Sequence, residues 1–259
     1  IFPTKNFRIG VFEGAEKISG ETLAEKYLDK KKSIEESCWG CMITCARYSR
    51  VTNSPFSGEG GGPEYETIWA FGAQTGTDNL EAIIKANFLC NELGLDTISM
   101  GHVIGTFMEL VEMGKIPKEK LRGLKTDWGA PEAIVELTWR TAYRSGIGNE
   151  LAEGAERLAK KYGAPEVAMT VRGQELPAYD PRGAQGHGLA YATSNRGGCH
   201  LRAYMISPEV LGVPSLVDRF KTEGKPALVK EFQDVFAVID SMIVCKFSSF
   251  AIWDEEYAE

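Results

Sequence analysis

Cys38-Trp39-Gly40-Cys41-Met42-Ile43-Thr44-Cys45 reads C-x2-C-x3-C. Spacers this short turn all three sulfurs inward, so the thiols can wrap one corner of an inorganic cluster. Iron–sulfur clusters are usually held by four thiolates. Cys245, in Asp240-Ser-Met-Ile-Val-Cys245, is the best remote candidate for the fourth. Zinc, completed by a His or Cys from elsewhere, is the competing metal. The x2, x3 spacing favours iron–sulfur over the paired C-x2-C zinc layout. It also reverses the C-x3-C-x2-C order of radical S-adenosylmethionine enzymes. Of the remaining thiols, Cys90 lies in an apolar helical pattern and reads as a buried small hydrophobe. Cys199, beside His200, reads either as structural or as lining a site.

The rest of the composition bounds the answer. The chain has 259 residues, 43% hydrophobic and 25% charged, enough for one or two ordinary globular domains. A net charge of -7 argues against a nucleic-acid partner. No apolar run approaches the roughly 20 residues that span a bilayer. The start, Ile-Phe-Pro-Thr-Lys-Asn, lacks the basic-then-apolar pattern of a signal peptide. Six cysteines, three of them bunched, fit ligation in a reducing cytoplasm better than a disulfide framework. The chain begins at Ile1 without an initiator Met and is expected to be a piece of a longer protein.

Outward from the cysteines the pattern is mainly α, with little β structure. Residues 1–19 read as irregular, and Gly20 to Leu28 as a helix leading to the cysteine corner. Ser54 to Pro63 reads as a Gly/Pro loop. Asp78 is the expected N-cap of a helix carrying Leu80, Ile83, Ile84 and Phe88 and stopping at Gly94. A second helix shows Ile98, Val103, Phe107, Met108 and Val111, and a third opens at Pro131. A fourth is expected over about 149–163, a strand over Val167–Val171, a Gly-rich loop over 179–202 and a last helix near 225–245. The pattern changes after Gly163-Ala-Pro165, which sets expected domains at 1–164 and 165–259.

Three further stretches carry chemistry. Residues 179–202 gather Arg182, Arg196, Arg202, His187 and His200 among glycines. Glycines let a backbone approach a ligand, and arginines offer planar forks to oxyanions; a structural turn with solvated arginines is the plainer reading. Glu64 and Glu66 follow the Gly-rich loop, and a carboxylate shielded there would have a raised pKa and could move protons; two solvated carboxylates are the alternative. Asn91-Glu-Leu-Gly-Leu-Asp96 and Asp240-Ser-Met-Ile-Val-Cys245 share a frame, with a polar acceptor five positions before Asp or Cys near a helix end. Such acceptors could hold an N–H-rich heterocycle.

Together these residues resemble the tungsten-containing aldehyde:ferredoxin oxidoreductase family. The resemblance covers nearly the whole chain. Its specific parts are the cysteine corner, Gly62-Pro-Glu-Tyr-Glu66, Ala178-Tyr-Asp-Pro-Arg-Gly183, Tyr191-Ala-Thr-Ser-Asn-Arg-Gly-Gly-Cys-His200 and Asp240…Cys245-Lys-Phe. It implies two packed helical domains that oxidise aldehydes to carboxylic acids. It implies that Cys38, Cys41, Cys45 and Cys245 hold a [4Fe-4S] cluster passing electrons to ferredoxin. It implies a tungsten or molybdenum bis-molybdopterin, one pterin cradled by Asn91, Leu95 and Asp96 and the other by Asp240, Val244, Cys245 and Lys246. Arg196 and Arg202 match basic positions beside these groups, and Glu66 and His200 match the family's proton-moving pair. The family also has an N-terminal β-rich domain, absent from this chain, and its members admit a homodimer. The chain departs from the motif D-x-x-G-L-(C/D) at Asn91, which replaces Asp, and at Ile243-Val244, which replace Gly-Leu. The competing function is an iron–sulfur electron-transfer module without a substrate of its own; the Gly/Arg/His stretch at 179–202 speaks against it, because a simple carrier has no use for it.

Overall fold

The computed structural model describes residues 2–250. The chain is mainly α, and contacts divide it into two compact units, residues 2–178 and residues from Tyr179 on. The first unit runs α1 (Gly20–Lys26), α2 (Lys30–Glu35), β1 (Tyr48–Val51), β2 (Gly58–Gly61), α3 (Tyr65–Phe71), α4 (Leu80–Leu93), α5 (Thr97–Glu112), α6 (Pro131–Ala142), α7 (Gly148–Leu151), α8 (Ala155–Lys161), β3 (Thr170–Val171) and β4 (Gln174–Glu175). The second holds α9 (Gln185–Thr193), a π-helical turn at Ser207–Leu211, α10 (Lys225–Ser241) and α11 (Lys246–Ser249).

The core of the first unit is α3 to α6. α5 is buried almost all round by Val103, Ile104, Phe107, Met108 and Leu110. Gly101 lets α3 cross it closely, because a Cβ there would stand 2.3 Å from the Ala70 carbonyl oxygen. α4 turns Ile83, Ile84 and Phe88 inward. Its N-cap is Asn79, whose side chain accepts the Ala82 N–H, and not Asp78, which instead pairs with Lys17. The second unit packs Ala203, Met205, Val229, Phe232, Phe236 and Ile239 into its own smaller core.

Several local expectations give way to glycine chemistry. β2 lies inside the stretch expected to be a loop and pairs antiparallel with β1, Tyr48 opposite Gly61. Gly58 and Gly60 suit that place because the Phe88 ring lies across them, 3.1 and 3.2 Å from where their Cβ atoms would stand. The expected helix over 149–163 is two helices, broken at Gly154 with φ +88°. The expected strand over 167–171 shrinks to Thr170–Val171, since Pro165–Val167 forms a 3-10 turn. Within the expected loop at 179–202, α9 forms across two glycines; a Cβ on Gly186 would meet Met205 and Glu209. Among the described residues no helix is long and apolar enough to cross a membrane.

Candidate functional site

The cysteine corner lies on the irregular segment between α2 and β1. The elements flanking that segment are clipped together: the Asp29 N–H, at the start of α2, donates to the Tyr48 carbonyl (2.8 Å), and the Tyr48 N–H donates to Ser33 Oγ within α2 (2.8 Å). Inside it, the Cys41 N–H donates to the Cys38 carbonyl, and Gly40 and Thr44 adopt positive φ. Cys38 and Cys45 are exposed and Cys41 half-buried, and Trp39 and Met42 are fully exposed between them. All six cysteines are free thiols. Among the described residues no three His, Cys, Asp or Glu side chains are gathered at metal-holding distance. The donor set still fits an iron–sulfur cluster: three free thiols, two exposed and one half-buried, on one short irregular segment. Cys245 is also exposed and starts α11. The N–H groups of Ser248, then Phe247, hold its thiol below the usual range, although neither forms a full capping bond. That favours the thiolate a metal requires.

The two six-residue frames fold alike. After α4, Gly94 is left-handed (φ +70°), the Leu95 N–H reaches back to the Cys90 carbonyl (3.0 Å), and Asp96 starts α5 by accepting the Ser99 N–H (2.7 Å). After α10, Ile243 is left-handed (φ +59°), the Val244 N–H reaches back to the Ile239 carbonyl (3.0 Å), and Cys245 starts α11. Each is a helix stop of the Schellman type followed at once by a helix start. Leu95 and Val244 anchor the two turns against their own cores. Asn91 donates to the Gly61 carbonyl (3.1 Å). Asp240 accepts Arg202 Nη1 (2.9 Å) and Lys246 Nζ (2.5 Å). Arg202 Nε is buried with no hydrogen-bond partner among the described residues. A buried guanidinium N–H left over where one carboxylate, Asp240, is shared by two cations fits an anionic ligand such as a pterin phosphate.

Two groups have proton affinities pushed in opposite directions. Glu66, in the first turn of α3, accepts the Ala178 N–H (2.9 Å). Burial of its carboxyl, opposed by that hydrogen bond and helped by the Asp96 charge, raises its pKa to about 8. His200 is partly buried, and its ring packs on Tyr179 (5.7 Å) and Tyr204 (6.5 Å). Desolvation, then the Arg196 and Lys246 charges, lower its pKa to about 4. Arg196 itself is exposed. Asp96 thus acts on Glu66 in the first unit, while Arg196, Arg202, Asp240 and Lys246 cluster with His200 in the second.

Sequence reasoning missed Glu209 and Lys225. Their ion pair is buried, with side chains 0% and 5% exposed. Glu209 also accepts the N–H groups of Gly186 (2.8 Å) and His187 (2.9 Å), so it caps α9. No spacing rule links these two charges. His187, read as a loop residue that could face a ligand, is fully buried instead. Cys90 is buried as expected, and Cys199 is buried too.

The family model described as aldehyde ferredoxin oxidoreductase, domains 2 & 3, matches residues 1–259. The chain is 48% identical over 261 residues to the tungsten-containing aldehyde ferredoxin oxidoreductase of Pyrococcus furiosus and 44% identical to that of Thermococcus kodakarensis, in each case across 100% of the chain and 42% of the relative. It is 29% identical to the WOR-like subunit of an aliphatic sulfonate oxidoreductase of Pyrococcus furiosus, over 81% of the chain and 32% of the relative. The chain therefore spans about two fifths of the length of the first two relatives. Among solved structures, the active-site complex BamBC of benzoyl coenzyme A reductase with 1,5-dienoyl-CoA has the same fold over 75% of this chain and 29% of that one, with a TM-score of 0.62 at 22% identity.

Proposed function

The chain belongs to the aldehyde ferredoxin oxidoreductase family, matching its domains 2 and 3, and from this we propose that it is the helical part of an enzyme that oxidises aldehydes to carboxylic acids. The observation that carries this reading is the repeated helix-stop, helix-start turn at Asn91–Asp96 and Asp240–Cys245, with the orphaned Arg202 Nε beside the second copy. A bis-pterin cofactor needs two such cradles. Asn91, Leu95 and Asp96 serve one pterin, and Asp240, Val244, Cys245 and Lys246 the other, with Arg196 and Arg202 balancing the negative charge. Cys38, Cys41, Cys45 and Cys245 hold the [4Fe-4S] cluster. The remaining protein supplies the N-terminal β-rich domain, in a homodimer that works in the cytoplasm.

When bound, the tungsten or molybdenum pterin supplies a two-electron acceptor, and the cluster a one-electron outlet to ferredoxin. Oxidation of an aldehyde with water releases two electrons and two protons. At neutral pH the imidazole of His200 is uncharged and can accept one of these protons and pass it to solvent, and Glu66, largely protonated, can take the other only after giving up the proton it holds.

Anaerobic purification of the full-length protein, metal analysis and an aldehyde-oxidation assay with a viologen dye test this. Iron with tungsten or molybdenum, and aldehyde-dependent dye reduction, are expected. Iron without either metal, and no aldehyde oxidation, would leave an electron-transfer module.

A further inference from the structure

His187 is completely buried on α9, and among the described residues neither Nδ1 nor Nε2 has a hydrogen-bond partner. Its backbone is fixed, because the N–H is held by the Glu209 carboxylate that Lys225 neutralises. Its ring stands edge-on to Tyr191 (4.5 Å, 77°) and to Tyr179 (5.2 Å, 74°). Tyr191, one helical turn on, donates its hydroxyl to the Tyr179 carbonyl (3.1 Å). The face of α9 therefore grips Tyr179 by both ring and backbone. Tyr179 in turn packs on the His200 ring, which Tyr204 covers as well.

We propose that His187 is a positioning residue for His200: by wedging Tyr179 in place from behind, it keeps water from the side of the His200 ring that Tyr179 covers. It works by volume and not by charge. Burial, and the charge His200 would carry, push the His187 pKa to about 3, so the ring is neutral wherever His200 is. Among the described residues Arg196 and Lys246 are charged groups that act on His200. With the wedge gone, those two cations still act but the desolvation weakens, so His200 should bind protons more readily. The catalytic weight of this device rests on the reading of His200 as the proton acceptor.

The test is a pH titration of histidine resonances in full-length protein labelled with [13Cε1]-histidine and prepared without cofactor, the His200 signal being assigned by its loss in His200→Gln. His187→Ala is expected to raise the His200 midpoint by at least about one unit, a tenfold gain in proton affinity, while His187→Phe, which keeps a planar ring in place, leaves it at the wild-type value. A folded His187→Ala protein with an unmoved midpoint overturns the proposal, as does a His187→Phe shift as large as that of the alanine variant. If His187→Ala does not fold, Tyr191→Phe, which frees the Tyr179 carbonyl, must move the midpoint in the same direction, and an unmoved midpoint again overturns it. No turnover is measured, so an error in the role assigned to His200 and a failure of the wedge give separate results.

Discussion

Ile243 occupies the place in the second unit that Gly94 occupies in the first: each ends its helix in a left-handed conformation, φ +59° and +70°. Glycine adopts that conformation without penalty, whereas a β-branched side chain meets its own backbone. The Ile243 side chain is 93% exposed, so it recovers nothing by burial.

Ile243→Gly is therefore expected to stabilise the protein. Relief of left-handed strain, about 1–2 kcal/mol, exceeds the roughly 0.5–1 kcal/mol lost to glycine's freedom in the unfolded chain. A higher urea midpoint at unchanged m-value is the expected result. A lower midpoint would mean that the isoleucine makes a contact this geometry does not reveal.

Lys225→Met should be costly. It leaves the Glu209 carboxylate buried without its cation, a change of about 3–5 kcal/mol. Adding Glu209→Gln should recover part of the loss, because the amide carries no charge yet its oxygen can still accept an N–H at the start of α9. Urea unfolding of the two single variants and the double variant measures the coupling; strictly additive losses would show that the pair does not act as a unit.

Glu66 gives stability a sign in pH. Its folded pKa of about 8 lies above the usual 4.5, so the native state holds the proton more tightly than the unfolded chain. Its contribution is complete below pH 4.5 and is lost as pH rises to about 8, at roughly 1.4 kcal/mol per pH unit. Glu66→Gln removes this dependence. The variant should gain on the wild type as pH rises from 5 to 8, measured by urea unfolding at both values. A constant difference would show that the carboxyl is not desolvated. In the full-length enzyme the same substitution should reduce turnover and spare the metal content.

Arg202→Met tests the orphaned guanidinium. Loss of the donor beside Asp240 should lower the tungsten or molybdenum retained per full-length chain and leave iron unchanged, as read by elemental analysis. Unchanged retention would assign Arg202 to the Asp240 ion pair alone.

The fold was readable wherever burial follows helical spacing. α4 and α5 follow from Leu80 to Phe88 and from Val103 to Met108, with Gly94 and Asp96 marking the stop and the start between them. It was unreadable where a glycine is set by a distant neighbour. Nothing near Gly58 or Gly60 announces that the Phe88 ring lies across them, and nothing near Gly186 announces Glu209. The site divides the same way. The cysteine spacing and the two six-residue frames are local patterns, and the frames do fold alike. The cap of α9 joins charges 16 residues apart that share no pattern. The burial of His187 depends on Tyr179 and Tyr191, which helical spacing alone could half anticipate, since Tyr191 lies four residues on.

Cys245→Ala in the full-length protein, prepared anaerobically, addresses the cluster assignment most directly through iron content and the low-temperature EPR spectrum of the reduced protein. The wild type should carry about four iron atoms in one cube per chain, and the variant should lose most of that iron together with the signal of the reduced cluster. A variant with wild-type iron and an unaltered signal would contradict the joining of Cys245 to Cys38, Cys41 and Cys45.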